Sequence, residues 1–304
     1  MRRRMITFPD GRQVCPLGQG TYQMGRRRSE EIQALRRGID LGLTLIDTAE
    51  MYGTEDLVGE AVRECRDKAF IVSKVLPGNA SYEGTKRACE RSLQRLGTDY
   101  IDLLIIHRFD YDTPVWETME ALHKVVQSGK VRAIGASAMY GYQFMEMQYT
   151  AEKNGWTKFV SMQNHYNLLY REDERELIPI CDAQNVARTP YSPLAAGRLS
   201  RPTWSADTLR SRTDVTAQGK YDKTRESDMV IVKRVSELAE KKDATMTQIA
   251  LAWQFAKGAA SPVIGATKAK YLDDAAGSFS VKLSKEEIDY LEEAYVPDHV
   301  VGAL

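Results

Sequence analysis

The 304-residue sequence lacks the signatures of several large protein classes. It contains no G-x-G-x-x-G, so a doubly wound nucleotide-binding sheet is without its usual phosphate turn. Its four cysteines, Cys15, Cys65, Cys89 and Cys181, are scattered, with no C-x-x-C and no metal-ligand spacing. They cannot scaffold a chain of this length and read as reduced thiols, which points to a cytoplasmic protein with no metal site. Charge of one sign is not in excess either: 42 acidic residues balance 42 basic ones. Generic binding to nucleic acid or a membrane surface needs a cationic surplus, so neither partner is expected. No apolar run is long enough to span a bilayer. The basic start, Met1 to Arg4, is not followed by an apolar core. Met5-Ile6-Thr7-Phe8 runs straight into Pro9-Asp10-Gly11, which reads as a strand and a turn rather than a secretory signal.

What the chain does have is a rhythm. Short β-branched runs alternate with amphipathic stretches from end to end. The predicted strands are Leu17–Gly20, Leu43–Asp47, Ala69–Lys74, Tyr100–His107, Val131–Ser137, Lys158–Gln163, Val186–Tyr191 and Ser261–Gly265. Between them lie helical patterns such as Ser81–Leu96, Thr113–Gln127 and Arg171–Cys181, and Ser29-Glu30-Glu31 reads as a capped helix start. The strands are apolar at nearly every position, which suits a parallel sheet buried on both faces. Repeated strand-then-helix units fit a single α/β domain over residues 1–304, a closed (β/α)₈ TIM barrel, a fold that takes about 250 residues. Two segments stand outside the rhythm. Met5–Cys15, centred on Asp10-Gly11, reads as a β-hairpin before the barrel, able to plug its floor. Ala196–Ser227 reads as a long loop after the seventh strand, a lid or binding loop.

In such a barrel the chemistry gathers at the C-terminal strand ends. Here Asp47, Lys74, His107, Ser137, Gln163 and Tyr191 each close an apolar run. Taken singly, each has a plain reading. Asp47 starts a turn, Lys74 faces solvent, His107 is a hydrogen-bonded core residue and Tyr52 belongs to a loop. Together, Asp, Lys and His are costly to bury in one place unless they pair, and the barrel sets them side by side. They then compose a proton donor. A free phenol ionises near pH ~10; a Lys74 ammonium beside Tyr52 would ease its proton loss, Asp47 would keep that ammonium charged, and His107 would orient a substrate oxygen.

Asp47-Thr48-Ala49-Glu50-Met51-Tyr52-Gly53, with Lys74 and His107, resembles the catalytic tetrad of the aldo-keto reductases. The resemblance runs over nearly the whole chain, through Gly18-Gln19-Gly20-Thr21-Tyr22, Met162-Gln163-Asn164, Tyr191-Ser192-Pro193-Leu194 and Val263-Ile264-Gly265-Ala266-Thr267-Lys268. It implies NADPH-dependent reduction of aldehydes or ketones, with Tyr52 as general acid and Asp47, Lys74 and His107 as its support. It also implies a cofactor site. Gly20 and Thr21 would lie beside the cofactor, Ser137 and Gln163 would hold the carboxamide, and Tyr191 would stack on the nicotinamide. Ser192, Leu194 and Gly197 would line the pyrophosphate path, while Thr267 and Lys268, following Gly265, would meet the adenosine 2′-phosphate of NADP.

Three positions depart from the family pattern. Ala138 follows Ser137 where asparagine is usual, Tyr271 replaces an arginine or glutamine that reaches toward adenine, and Arg188 stands where an aliphatic residue is expected. The stretch through Asp102 resembles the diketogulonate-type and methylglyoxal-type reductases. His107–Leu199 resembles the sugar-aldehyde reductases and the potassium-channel β subunits. A mosaic joined near Asp99–Leu103 and natural divergence both give this look. The second likeness implies an alternative role as a cofactor-binding regulatory module. Substrate identity and oligomeric state stay open at this stage.

Overall fold

A computed structural model of the chain describes residues 5–204, 214–221, 224–265 and 267–300. A short antiparallel hairpin, β1 (Ile6–Thr7) and β2 (Gln13–Val14), precedes eight parallel strands. These are β3 (Gly18–Gly20), β4 (Leu45–Asp47), β5 (Phe70–Val75), β6 (Ile101–Ile106), β7 (Val131–Ser137), β8 (Ser161–Gln163), β9 (Ala187–Arg188) and β10 (Val263–Gly265). They pair in chain order from β3 to β9, with β10 beside β3. The sheet closes on itself. Tyr191, just past β9, bridges Val263, and the Val263 amide donates to the Pro190 carbonyl at 2.8 Å. The fold is therefore the (β/α)₈ barrel that the rhythm predicts.

The apolar strands alternate between two interiors. On β5, Phe70 and Val72 point into the barrel with Leu45, Leu103 and Ile105, while Ile71 and Val75 pack outward against the helices. Both faces are dry, which is why no polar alternation marks the strands. Phe8 and Val14 of the hairpin join the inner cluster, and the Phe8 ring meets Phe70 edge-on at 5.8 Å. The hairpin thus plugs the floor, and the polar strand ends face the opposite mouth. Gly18 is required where β3 passes β4, because a Cβ there would lie 2.6 Å from a Leu45 methyl.

Helix Tyr82–Leu96 is started by Ser81, whose hydroxyl accepts from the Gly84 amide, and stopped by Gly97 at φ 62°. Other boundaries differ from the sequence reading. Ser29 does not cap its helix, which begins at Arg28; instead Glu31 accepts from the Gly25 amide at 2.7 Å. The stretch Arg171–Cys181 breaks into a 3₁₀ turn, Glu172–Glu174, and a helix, Leu177–Ala183. The expected loop Ala196–Ser227 is largely helical where described: a kinked turn over Ala195–Ser200, helix Val215–Tyr221, and the start of helix Arg225–Lys241. Its apolar residues account for this. Leu199, Ala217 and Tyr221 are buried in one cluster with Tyr166, Val232 and Trp253, so the segment folds against the barrel wall. Residues 205–213 and 222–223 of that segment lie outside the described ones.

Arg188, unexplained by sequence, points outward from β9. Its guanidinium pairs with Asp182 at 3.3 Å and donates to the Lys257 carbonyl at 2.9 Å. It ties the strand to the turn before β10, so the charge is paired rather than stranded.

Candidate active site

Asp47 ends β4, Lys74 lies near the end of β5 and His107 follows β6, so three adjacent strands deliver three side chains to one mouth. Lys74 is only 1% exposed. Its ammonium donates to Asp47 Oδ1 at 2.6 Å and to the Thr48 carbonyl at 2.8 Å. A charge-assisted pair with a second hydrogen bond is what makes such a burial tolerable. Tyr52 rides on a short 3₁₀ turn, Glu50–Tyr52, that ends at Gly53 in the left-handed region at φ 65°. The Lys74 ammonium lies 4.9 Å from the centre of the Tyr52 ring, and the His107 ring meets Tyr52 edge-on at 5.7 Å. Tyr22 leans on the other side of Tyr52, with ring centres 5.2 Å apart.

Burial sets the protonation states. It pushes the Tyr52 phenol well above its ordinary 10.0; Asp47 adds to the rise and Arg108 opposes it. This differs from the sequence expectation that Lys74 would ease proton loss: in the protein alone, desolvation and the Asp47 charge dominate. Burial lowers Lys74, while the Asp47 pair and the more distant Glu55 raise it. His107 is brought down to about 3 by burial and by the Lys74 and Arg108 charges, so its imidazole is neutral at physiological pH. Its Nδ1 is buried without a hydrogen-bond partner among the described residues.

Several of the other predicted residues contact this centre. The Gln163 amide donates to Asp47 Oδ2 at 2.7 Å, and Ser137 donates to the Gln163 carbonyl at 2.7 Å. Both are thus linked to Asp47, Gln163 directly and Ser137 through Gln163. Gly20 pairs with Asp47 on one side and Gly265 on the other. The Thr21 hydroxyl donates to the Asp47 carbonyl at 3.0 Å. Tyr191 stacks on His165 at 5.1 Å, and His165 stacks on Tyr170 at 4.2 Å. Ser192, Ala195, Ala196 and Gly197 all have φ between 48° and 90°, a strained run for residues other than glycine. Leu194 is half-buried within that run. Gly265, Thr267 and Lys268 are exposed, with Lys268 at the start of helix Ala269–Gly277.

Sequence reasoning missed the layer behind Tyr191. His165 Nε2 shares a hydrogen bond with the Tyr221 hydroxyl at 2.7 Å, and Lys220 donates to the Tyr191 hydroxyl at 3.2 Å. Burial and the Arg108 charge lower Lys220 to about 8, against the pull of Asp214. No local pattern announces these contacts, because Lys220 and Tyr221 sit in the segment read as a loop. Among the described residues, no group of His, Cys, Asp and Glu could hold a metal ion, and no helix is long and apolar enough to cross a membrane.

Comparison with known proteins shows the family. The model of the Aldo/keto reductase family matches residues 16–296. Versiconal hemiacetal acetate reductase of Aspergillus parasiticus is 39% identical over 303 residues, covering 88% of this chain and 87% of its own. An aldo-keto reductase of Alternaria alternata is 39% identical and covers 90% of this chain and 84% of its own. Each relative matches more of the chain than lies on either side of Asp99–Leu103. Among solved structures, an aldo/keto reductase from Klebsiella pneumoniae in complex with NADP and acetate superposes with a TM-score of 0.80 at 32% identity, covering 99% of each chain. A buried Asp–Lys pair under a tyrosine, at the mouth of a closed parallel barrel, now stands beside a family match over almost the whole chain: the protein belongs to the aldo/keto reductase family and is an oxidoreductase.

Proposed function

We propose that the protein reduces small aldehydes or ketones to alcohols with NADPH, using Tyr52 as the proton donor. The observation that carries this reading is the Lys74–Asp47 pair, 2.6 Å long and buried, set against the Tyr52 ring with a neutral imidazole on the ring's edge. A neutral His107 can donate one N–H to a carbonyl oxygen without bringing a competing charge. Tyr52 stays protonated through neutral pH and gives its proton as the oxygen becomes an alkoxide. Lys74, 4.9 Å from the centre of the Tyr52 ring, would favour the phenolate left behind once the proton has gone, and Asp47 holds Lys74 in place.

The cofactor is NADP(H), and the residues fit it. Tyr191 presents an aromatic ring at the mouth, braced by His165 and Tyr170. The nearby Asn164 Oδ1 is buried without a partner among the described residues, an acceptor suited to a carboxamide N–H. Ser137 and Gln163 stand beside it. Ser192, Leu194 and Gly197, in the strained loop, would follow the pyrophosphate, with Gly20, Thr21 and Gly265 beneath. The exposed Lys268 and Thr267 would meet the 2′-phosphate, where a cation favours NADPH over NADH. When bound, the cofactor supplies hydride to the carbonyl carbon. Measuring NADPH consumption across a panel of aldehydes, ketones and sugars tests the reading, with NADH run in parallel. Turnover of several carbonyls with NADPH preferred is expected. Tight NADPH binding with no turnover of any of them would contradict it and favour a regulatory module.

A further inference from the structure

The loop that carries Tyr52 is closed by three buried hydroxyls: those of Thr48 and Thr54 have no part in the reaction above, and Thr21 enters it only as a neighbour of the cofactor. Thr21, Thr48 and Thr54 are all 0% exposed. Thr48 and Thr54 Oγ1 lie 3.0 Å apart, Thr54 and Thr21 Oγ1 lie 2.9 Å apart, and Thr21 Oγ1 is 3.0 Å from the Asp47 carbonyl. The direction of this chain is forced. A carbonyl only accepts, so Thr21 spends its one proton on Asp47. Thr54 must then donate to Thr21, and Thr48 to Thr54. Three protons fill three bonds, all in one sense, and the two ends of the chain are the carbonyl of Asp47 and the side chain of its neighbour. The Thr48 carbonyl in turn accepts from Lys74 at 2.8 Å.

Thr54 stands immediately before helix Glu55–Val62, at the position where a threonine hydroxyl usually caps the first turn. It makes no such bond. Its hydroxyl is turned across the loop instead, forgoing a cap worth about 1 kcal/mol. The next residue fixes the far side: Glu55 accepts from Ser73, the neighbour of Lys74 on β5, at 2.5 Å, and pairs with Arg95 at 2.6 Å. The five residues between Thr48 and Thr54, with Tyr52 among them, are thus clasped at both ends to the strands that carry Asp47 and Lys74.

We propose that Thr48, Thr54 and Thr21 form a one-way hydroxyl chain that holds the Tyr52 loop in register with Asp47 and Lys74, so that Thr54 is a positioning residue for the proton transfer. The inference rests on Tyr52 as proton donor. Thr54→Val keeps the shape, removes the middle link and strands the buried Thr48 proton; Thr48→Val removes only the head and strands none; Thr54→Ser keeps the hydroxyl. A misplacement of this kind costs up to about a hundredfold in rate. Steady-state kinetics in H₂O and D₂O, with NADPH affinity measured by fluorescence, should give kcat in the order parent and Thr54→Ser, then Thr48→Val, then Thr54→Val. The last is expected at least about tenfold down with a larger solvent isotope effect, and NADPH affinity within about twofold throughout. Parental kcat in Thr54→Val, an equal fall in Thr54→Ser, or a loss confined to NADPH affinity would overturn the chain. Should Thr54→Val not fold, parental kcat and isotope effect in Thr48→Val overturn it alone. Tyr52→Phe run alongside separates the two readings. Full activity there removes the proton donor itself, whereas inactivity there with an unaffected Thr54→Val removes only the chain.

Discussion

Lys74 is the residue on which the electrostatics of the mouth turn. Burial lowers its pKa and Asp47 holds it up, while burial raises Tyr52. As pH rises, the ammonium therefore loses its proton before the phenol does. Carbonyl reduction should decline on the alkaline side below pH 10.5, the ordinary lysine value. Asp47→Asn should move that decline to lower pH, because the group that holds the ammonium charged is gone. An unmoved or raised alkaline limb in pH–rate profiles would count against the pairing. His107 makes a prediction about stability. Its imidazole titrates at about 3 when folded and near the ordinary 6.5 when unfolded. Between those values the unfolded chain binds more protons, so stability is full above about 6.5 and is lost as pH falls toward 3. His165, lowered well below its ordinary value by burial, adds with the same sign. Urea unfolding of His107→Gln between pH 4 and pH 7, roughly the span of that window, should show a flatter pH dependence than the parent.

At the scale of elements, the pieces readable in the sequence are those whose ends carry chemistry. Six of the eight barrel strands are marked by an apolar run closed by a polar residue, and Asp47, Lys74, His107, Ser137 and Gln163 converge because parallel strands end at one face. The sequence did not reveal how the second ring of contacts is assembled. Gln163 turning to Asp47, His165 backing Tyr191 and Lys220 reaching the Tyr191 hydroxyl join segments more than twenty residues apart. Local pattern cannot encode such pairings. The segment after β9 was read as a loop because its polar composition hides Leu199, Ala217 and Tyr221, whose burial makes it partly helical. Helix Ala269–Gly277 carries a prediction of its own. Lys268 sits exposed at its start, and Lys268→Ala should weaken NADPH binding about tenfold, roughly 1.4 kcal/mol, while leaving NADH nearly unchanged. Equal losses for both nucleotides in a titration would remove Lys268 from the 2′-phosphate.

For the whole molecule, the barrel separates stability from chemistry along its axis. The floor is apolar: Phe8 is 1% exposed and packs among Phe70, Val72 and Leu103 at the end away from the mouth. Truncating it, Phe8→Ala, should cost about 3–5 kcal/mol in denaturant unfolding and leave kcat of the folded fraction close to parental. A large fall in kcat with intact stability would mean that floor and mouth are coupled. At the mouth, an ammonium and a carboxylate are paired and buried beneath a phenol, with the Thr48 carbonyl and the Gln163 amide completing their hydrogen bonds. The most direct measurement of what that arrangement does is single-turnover NADPH oxidation, with an aldehyde that the parent reduces, in Tyr52→Phe and the parent. The phenol's role as acid requires the burst rate to fall by about a hundredfold or more while NADPH still binds. A burst at the parental rate would show that the proton comes from elsewhere.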